Sequence, residues 1–337
     1  MRMLSELAGV FLSLAACIAA AEPASYRAGA RELAEEMERQ HGFDRQEVAN
    51  LLAEARYRQE IIDAIRRPWE AKPWHQYRAI FLTDARSSGG VRFWRENRHW
   101  LERADATYGV PPEIITAIIG VETNYGGNLG RHRAIDALST LGFSYPERAD
   151  FFRKELASFL LLTREESVSA TGATGSYAGA LGLPQFIPSS YRAYAVDFDG
   201  DGRRDLWASP ADAIGSVASY FKGHGWRAGE PVAVPARLAA PLPEGLRVAD
   251  GKPAKPEVAL GELAAQGVQA NEVLDASTLA SLIRLEAPEE EYWLGLENFY
   301  VITRYNHSNL YAMAVYQLSL AIKSLFEAEG GQTAAAD

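Results

Sequence analysis

Residues 118–127 read IIGVETNYGG, an apolar helical run that takes on a single carboxylate and then stops at two glycines. Pro111, Pro112 and Glu113 precede the run, and proline is favourable at a helix start because the N–H it lacks would have no intrahelical partner there. A helix is therefore expected from about Pro112. Ile114, Ile115, Ile118 and Ile119 recur at the spacing of one buried stripe, and Glu122 lies on that stripe, four residues after Ile118. Gly126 and Gly127 are expected to end the helix, which places Glu122 in its last turn. There, desolvation and the exposed carbonyl dipoles both disfavour the ionised carboxylate, so its pKa should rise toward that of a general acid. Read from this helix alone, a structural glutamate paired with an arginine inside a core is the commoner occurrence.

Asp197 to Asp205, DFDGDGRRD, carries a second pattern. Carboxylates at loop positions one, three and five (Asp197, Asp199, Asp201), Gly202 at six, the Arg203 carbonyl at seven and Asp205 at nine follow the calcium loop of an EF-hand. A hard cation needs oxygens from a tightly turned chain. Position twelve is Ala208 and the next acid is Asp212, so the loop must be longer than the standard form. The alternative is a solvated acidic turn.

Between these, Ser176 to Arg192 reads SYAGALGLPQFIPSSYR. Small residues there let backbone approach a ligand, the amide of Gln185 can bond hydroxyls, and Tyr177, Phe186 and Tyr191 can cover the apolar face of a sugar. A glycine-rich helix start packed on a core fits the same letters. Other templates fail. Gly175-Ser176 lacks the glycine of a nucleophile elbow, and none of the six histidines forms an H-E-x-x-H or i, i+4 pair.

The elements that must hold these groups are mostly helical. Residues 22–108 alternate charged and apolar groups at helical spacing, and 109–232 read as helices joined by glycine-rich loops. Prolines and short apolar runs mark a small strand-rich insertion over 233–288, and a final amphipathic helix follows from about Leu310. With 337 residues, 47% hydrophobic and 23% charged, the chain is an ordinary globular one. A net charge of −10 without an aromatic-laced basic cluster argues against nucleic acid. Residues 1–21 read as an export leader. Within it the sole cysteine completes Leu14-Ala15-Ala16-Cys17, a lipobox match that would lipidate Cys17, while Ala19-Ala20-Ala21 offers a rival cleavage site yielding a soluble protein.

GVETNYG, SYAGALGLPQFIPSSYRAYAVDFDGDGRRDLW, DAIGSVASYFKGHGW and NFYVITRYNHS, in this order, closely resemble the bacterial lytic transglycosylase B family of membrane-bound or soluble peptidoglycan enzymes. The likeness runs from about residue 40 to 325. It implies an α+β, predominantly α fold: a lysozyme-like catalytic core over 109–232 and 289–311, an N-terminal α domain, the small β insertion, an EF-hand-like calcium loop and a terminal helix over 312–330. It further implies cleavage of the MurNAc–GlcNAc β-1,4 bond with Glu122 as the one catalytic carboxylate and no cofactor for the chemistry. By the same likeness Ser176, Tyr177, Gln185, Phe186, Tyr220, Tyr305, Asn306 and Tyr311 would line the glycan groove, with Arg148 near a peptide or acyl substituent. Asp197, Asp199, Asp201, the Arg203 carbonyl and Asp212 would hold a structural calcium ion. Leu181 stands where the family is expected to carry methionine, and Glu147 where a second basic residue can occur. The expected protein is an exported monomer acting on peptidoglycan strands in the periplasm, anchored to the outer membrane if Cys17 is lipidated. A hydrolytic muramidase of the same fold and a calcium-stabilised, non-catalytic wall-binding protein are the alternatives.

Overall fold

The computed structural model describes residues 23–67, 72–239, 241–242 and 244–334. Cys17 and the leader lie outside the described residues. Six helices come first: α1 (Ala24–His41), α2 (Arg45–Glu54), α3 (Gln59–Ile65), α4 (Trp74–Phe81), α5 (Asp84–Glu96) and α6 (Arg98–Tyr108). Local chemistry sets their ends. Asp44 and Thr83 cap α2 and α5 by accepting from the Glu47 and Arg86 amides, while Gly42 and Gly109 close α1 and α6 in the left-handed conformation.

The helix carrying Glu122, α7 (Pro112–Thr123), begins at the expected proline. Its surroundings differ from a single apolar stripe: Ile114 to Gly120 are all buried, because α5, α6, α11 (Pro210–Gly223) and α14 (Asn309–Ala334) pack around it. An all-round apolar helix is a central one. Its end differs too. Asn124 (φ 51°) and Tyr125 (φ 60°), not the two glycines, turn the chain out of the helix through left-handed backbone. The Asn124 and Tyr125 amides return to the Gly120 and Ile119 carbonyls at 3.1 and 3.3 Å.

A short ladder, β1 (His132–Arg133) against β2 (Thr174–Gly175), brackets α8 (Ala134–Ser144) and α9 (Ala149–Glu165). Residues 176–187, read from sequence as a possible helix start, are instead a folded loop held by the bridges Gly175 to Leu181 and Leu181 to Phe186; the helix α10 (Pro188–Tyr194) begins only at Pro188.

The strand-rich segment forms a six-stranded sheet. It contains β3 (Ala233–Leu238), β4 (Val248–Asp250), β5 (Val258–Ala259), β6 (Val268–Ala270), β7 (Leu279–Leu285) and β8 (Glu291–Gly295), with α12 (Leu260–Ala265) alongside. The expected limit at 288 is corrected by β8, which pairs antiparallel with both β3 and β7 and so belongs to the sheet. Val234, Leu260, Leu263, Leu282 and Leu294 give this unit a small core of its own. The helical body resumes with α13 (Glu297–Tyr305). The terminal helix α14 starts at Asn309, next to the expected Leu310 and ahead of the domain limit at 312, and Tyr311 therefore sits in its first turn. Among the described residues no helix is long and apolar enough to cross a membrane.

Candidate active site

Three glycines explain how the turn after Glu122 is held. A Cβ on Gly89, Gly90 or Gly120 would lie 2.9, 2.7 and 2.6 Å from the nearest atom of the Tyr125 side chain. The ring of Tyr125 thus fills a notch between α5 and α7, and its hydroxyl donates to the Arg86 carbonyl at 2.8 Å. Arg86 in turn donates to the Gly120 carbonyl. Thr123 ties the same turn to the opposite wall, its hydroxyl reaching the Leu183 carbonyl at 3.0 Å. Glu122 is therefore presented by a helix end fixed from two sides.

Its carboxylate, half-buried, meets the Tyr311 hydroxyl at 2.5 Å, a contact spanning 189 residues of chain. Among the described residues Glu122 makes no ion pair, so the arginine-paired core glutamate is not what the fold builds. Burial raises the Glu122 pKa to about 7, with the Tyr311 hydrogen bond acting in the opposite sense. Tyr305 and Tyr311 are themselves pushed well up, first by burial and then by the charge of Glu122. A carboxyl that holds its proton near neutrality, with a donor ready for the anion it becomes, is equipped to act as an acid and then a base.

Glu122 lies in a groove of about 780 Å³ whose walls also carry Arg148, Ser176, Tyr177, Gln185, Phe186, Tyr220, Tyr305 and Asn306. Gln185 adopts left-handed backbone (φ 50°) and donates its amide to the Gly182 and Leu129 carbonyls at 2.8 and 3.3 Å, leaving the amide oxygen to accept. An aromatic cluster centred on Tyr305 shares the wall with it. Tyr305 is 5.8 Å from Phe186, 4.8 Å from Tyr220 and 6.4 Å from the nearly parallel ring of Tyr311. The hydroxyls of Tyr305 and Tyr220 donate to the Pro184 and Arg304 carbonyls at 2.6 Å each. These two tyrosines therefore brace the wall and can only accept from a ligand. Arg148 rests its guanidinium over Phe151 at 4.3 Å and makes no ion pair among the described residues.

The family model of the transglycosylase SLT domain matches residues 25–320. The chain belongs to the SLT transglycosylase family. It is 46% identical over 305 residues to the membrane-bound lytic murein transglycosylase B of Escherichia coli strain K12, covering 87% of this chain and 82% of that one. The crystal structure of the soluble lytic transglycosylase SltB1 from Pseudomonas aeruginosa superposes with a TM-score of 0.82 at 53% identity, over 88% of this chain and 98% of that chain. The Escherichia coli lytic transglycosylase Slt35 in complex with calcium gives a TM-score of 0.81 at 45% identity, over 88% and 93% of the two chains. The fold is thus that of the lysozyme-like lytic transglycosylases.

In this transglycosylase the acidic loop brings Asp197, Asp199 and Asp201 together, with carboxylate oxygens within 4.8 Å of one another. Gly200 (φ 80°) and Gly202 (φ 90°) make the tight turn possible. The convergence of three anionic oxygens fits a hard cation, and the Arg203 amide donating to Asp201 at 2.9 Å keeps the following carbonyl in the same turn. Asp212, expected to close the loop, is not among the carboxylates that face one another. Its two oxygens accept the Phe198 and Asp205 amides at 2.7 and 2.8 Å, and it is buried at the start of α11. Asp212 thus supplies acceptors for the amide protons at the loop's entry and exit.

The loop's exit also backs the groove. The Leu183 amide donates to the Leu206 carbonyl at 2.8 Å, and Tyr191 donates to the Arg204 carbonyl. Leu181, standing where methionine was expected, is fully buried, and Glu147 pairs with Arg66 at 3.7 Å. Sequence reasoning missed Phe151, Ser190, Arg304 and His307 as groove residues. The polar run Tyr305-Asn306-His307-Ser308, next to an apolar helix, was the one available signal. Burial, then Arg304 and Arg148, hold the His307 imidazole below its usual pKa.

Proposed function

We propose that this protein is a peptidoglycan lytic transglycosylase that cleaves the MurNAc–GlcNAc β-1,4 bond and leaves a 1,6-anhydro-MurNAc end, with Glu122 as acid and then base. The observation that carries the reading is the groove's inventory: among its lining residues Glu122 is the one carboxylate. Hydrolytic glycosidases ordinarily need a second carboxylate, to activate water or to act as nucleophile.

The steps follow from the site. Protonated Glu122 gives its proton to the glycosidic oxygen as the C1–O4 bond breaks, and the Tyr311 hydroxyl supports the carboxylate that forms. The acetamido oxygen of MurNAc stabilises the positive charge at C1. Glu122 then takes the proton of the C6 hydroxyl as O6 closes on C1, so no water enters the product and the acid is regenerated. Gln185 offers an acceptor to a sugar N–H or O–H, Asn306 a side-chain amide, and Ser176 and Tyr177 line the same wall. Arg148, exposed and stacked on Phe151, is placed for a lactyl or peptide carboxylate.

Asp197, Asp199, Asp201 and the Arg203 carbonyl would hold a calcium ion, in keeping with the calcium complex of the Slt35 relative. Its part is structural, neutralising three facing carboxylates in a loop whose exit supports the groove wall. The protein acts as an exported monomer in the periplasm. Lipidation at Cys17 would hold it on the outer membrane, a reading supported by the lipobox match and by the membrane-bound relative.

Mass spectrometry of fragments released from purified sacculi tests the reaction. The products should carry 1,6-anhydro-MurNAc, one water lighter than lysozyme products. Reducing MurNAc ends would assign hydrolysis instead.

A further inference from the structure

A second cleft, of about 450 Å³, is lined by Arg56, Arg58, Glu60, Arg131, His132, Arg133 and Asp136. Four arginines and two carboxylic residues line it, on a chain whose net charge is −10. The buried member, Asp136, is already satisfied. Arg133 grips it with two nitrogens at 3.0 and 2.6 Å, the Arg56 amide adds a third bond at 2.9 Å, and Arg58 stands 3.6 Å away. Arg58 also lies 4.0 Å from Glu60. Asp136 thus serves as the floor on which the arginines are arranged. Arg56 and Arg131 are exposed and make no ion pair among the described residues, so the residues lining the cleft carry a positive excess of two.

The position of this excess is fixed relative to the groove. Arg131 follows Gly130 (φ 86°), whose backbone presses so closely on β2 that a Cβ there would lie 2.1 Å from the Gly175 carbonyl oxygen. Leu129, one residue earlier, supplies a carbonyl that holds Gln185. On the facing strand Arg133 pairs with Thr174. Tyr177, in the groove wall, is three residues beyond, about 10 Å of extended chain. The arginine cleft, lined by both residues of β1, and the glycan groove, lined from the residue after β2, therefore adjoin the same short ladder.

Resting on the reading of the groove as a peptidoglycan site, we propose that this cleft is a binding site for the carboxylates of a peptide stem on the same glycan strand, away from the bond being cleaved. Its ligand is an anionic peptide held chiefly by Arg56 and Arg131, with guanidinium forks matched to carboxylate oxygens. The site makes the enzyme prefer strands that still bear stems over strands that have lost them. Because both arginines are exposed, the preference weakens as salt rises above about 0.1 M, where the Debye length falls to about 10 Å.

The test measures binding, not turnover. In a Glu122→Gln background, dissociation constants are determined for soluble glycan strands bearing tetrapeptide stems and for the same strands stripped by an amidase. Adding Arg56→Ala and Arg131→Ala should cut the preference for stem-bearing strands about tenfold, the effect of one charge-assisted contact. Arg131→Lys in place of Arg131→Ala should keep part of it. An unchanged preference, or an equal weakening on both strands, overturns the proposal. Hydrolytic products from the wild-type enzyme would instead overturn the transglycosylase reading while leaving this binding ratio intact.

Discussion

Tyr311→Phe isolates the one hydrogen bond that connects the catalytic carboxyl to the terminal helix. The substitution removes a hydroxyl 2.5 Å from the Glu122 carboxylate, in a side chain only 3% exposed, and leaves the ring and its packing in place. A hydrogen bond to a charged group contributes about 1.5–3 kcal/mol. Because that bond favours the ionised form, its loss raises the Glu122 pKa by about one to two units, at 1.36 kcal/mol per unit. The sign follows from the role. Glu122 must start protonated, so activity is lost as pH rises through its pKa, about 7 in the native protein. In Tyr311→Phe that alkaline limb should move up by about one to two units. At lower pH, where both enzymes are protonated, kcat should fall about tenfold to hundredfold, because the carboxylate formed in the transition state has lost its donor. The assay is a pH series of anhydromuropeptide release from sacculi, with melting temperature as the control for folding. An alkaline limb that stays at its native position while activity falls uniformly would show that Tyr311 supports the structure and does not tune Glu122.

Glu122→Gln should lower turnover at least about a hundredfold, the span of general acid–base catalysis, as read from initial rates. The same substitution should show a stability gain with a definite pH dependence. The folded protein keeps this proton up to about pH 7 whereas the unfolded chain releases it near 4.5, so the native carboxyl costs stability progressively across that window. Relative to wild type, the variant should be unchanged below about pH 4 and more stable by about 2 kcal/mol at pH 8, after allowance for the groove's solvent; equal denaturation midpoints at both pH values would refute this. Calcium should raise the melting temperature by mass action, and Asp201→Ala should remove that rise; a melting temperature indifferent to calcium in the native protein would refute the ion site.

What could be read from the sequence was local. The proline start of α7, its apolar run and the placement of Glu122 in its last turn depend on residues within a few turns of one another, and backbone hydrogen bonding enforces them wherever the helix is put. The facing of Asp197, Asp199 and Asp201 is likewise set by a loop whose glycines permit one tight turn. The family resemblance extended that reading to the groove wall, where residues 176–187 fold back on themselves. The rest needed the tertiary structure, because it depends on which distant segments share a surface. Non-glycine residues leave α7 in the left-handed conformation because the Tyr125 ring has a notch to fill, and that notch is made by glycines on two helices. The strand β8 joins the sheet through partners on β3 and β7 that its own residues do not announce. The resemblance implies Asp212 as an ion ligand, and only the fold shows that its oxygens accept the Phe198 and Asp205 amides. Glu122 could be recognised as an unusual carboxylate from its own helix. That its partner is a tyrosine 189 residues away, and that Arg56 and Arg131 line one cleft with Asp136, are decided by packing alone, since side-chain electrostatics acts over ångströms in space and is blind to separation along the chain.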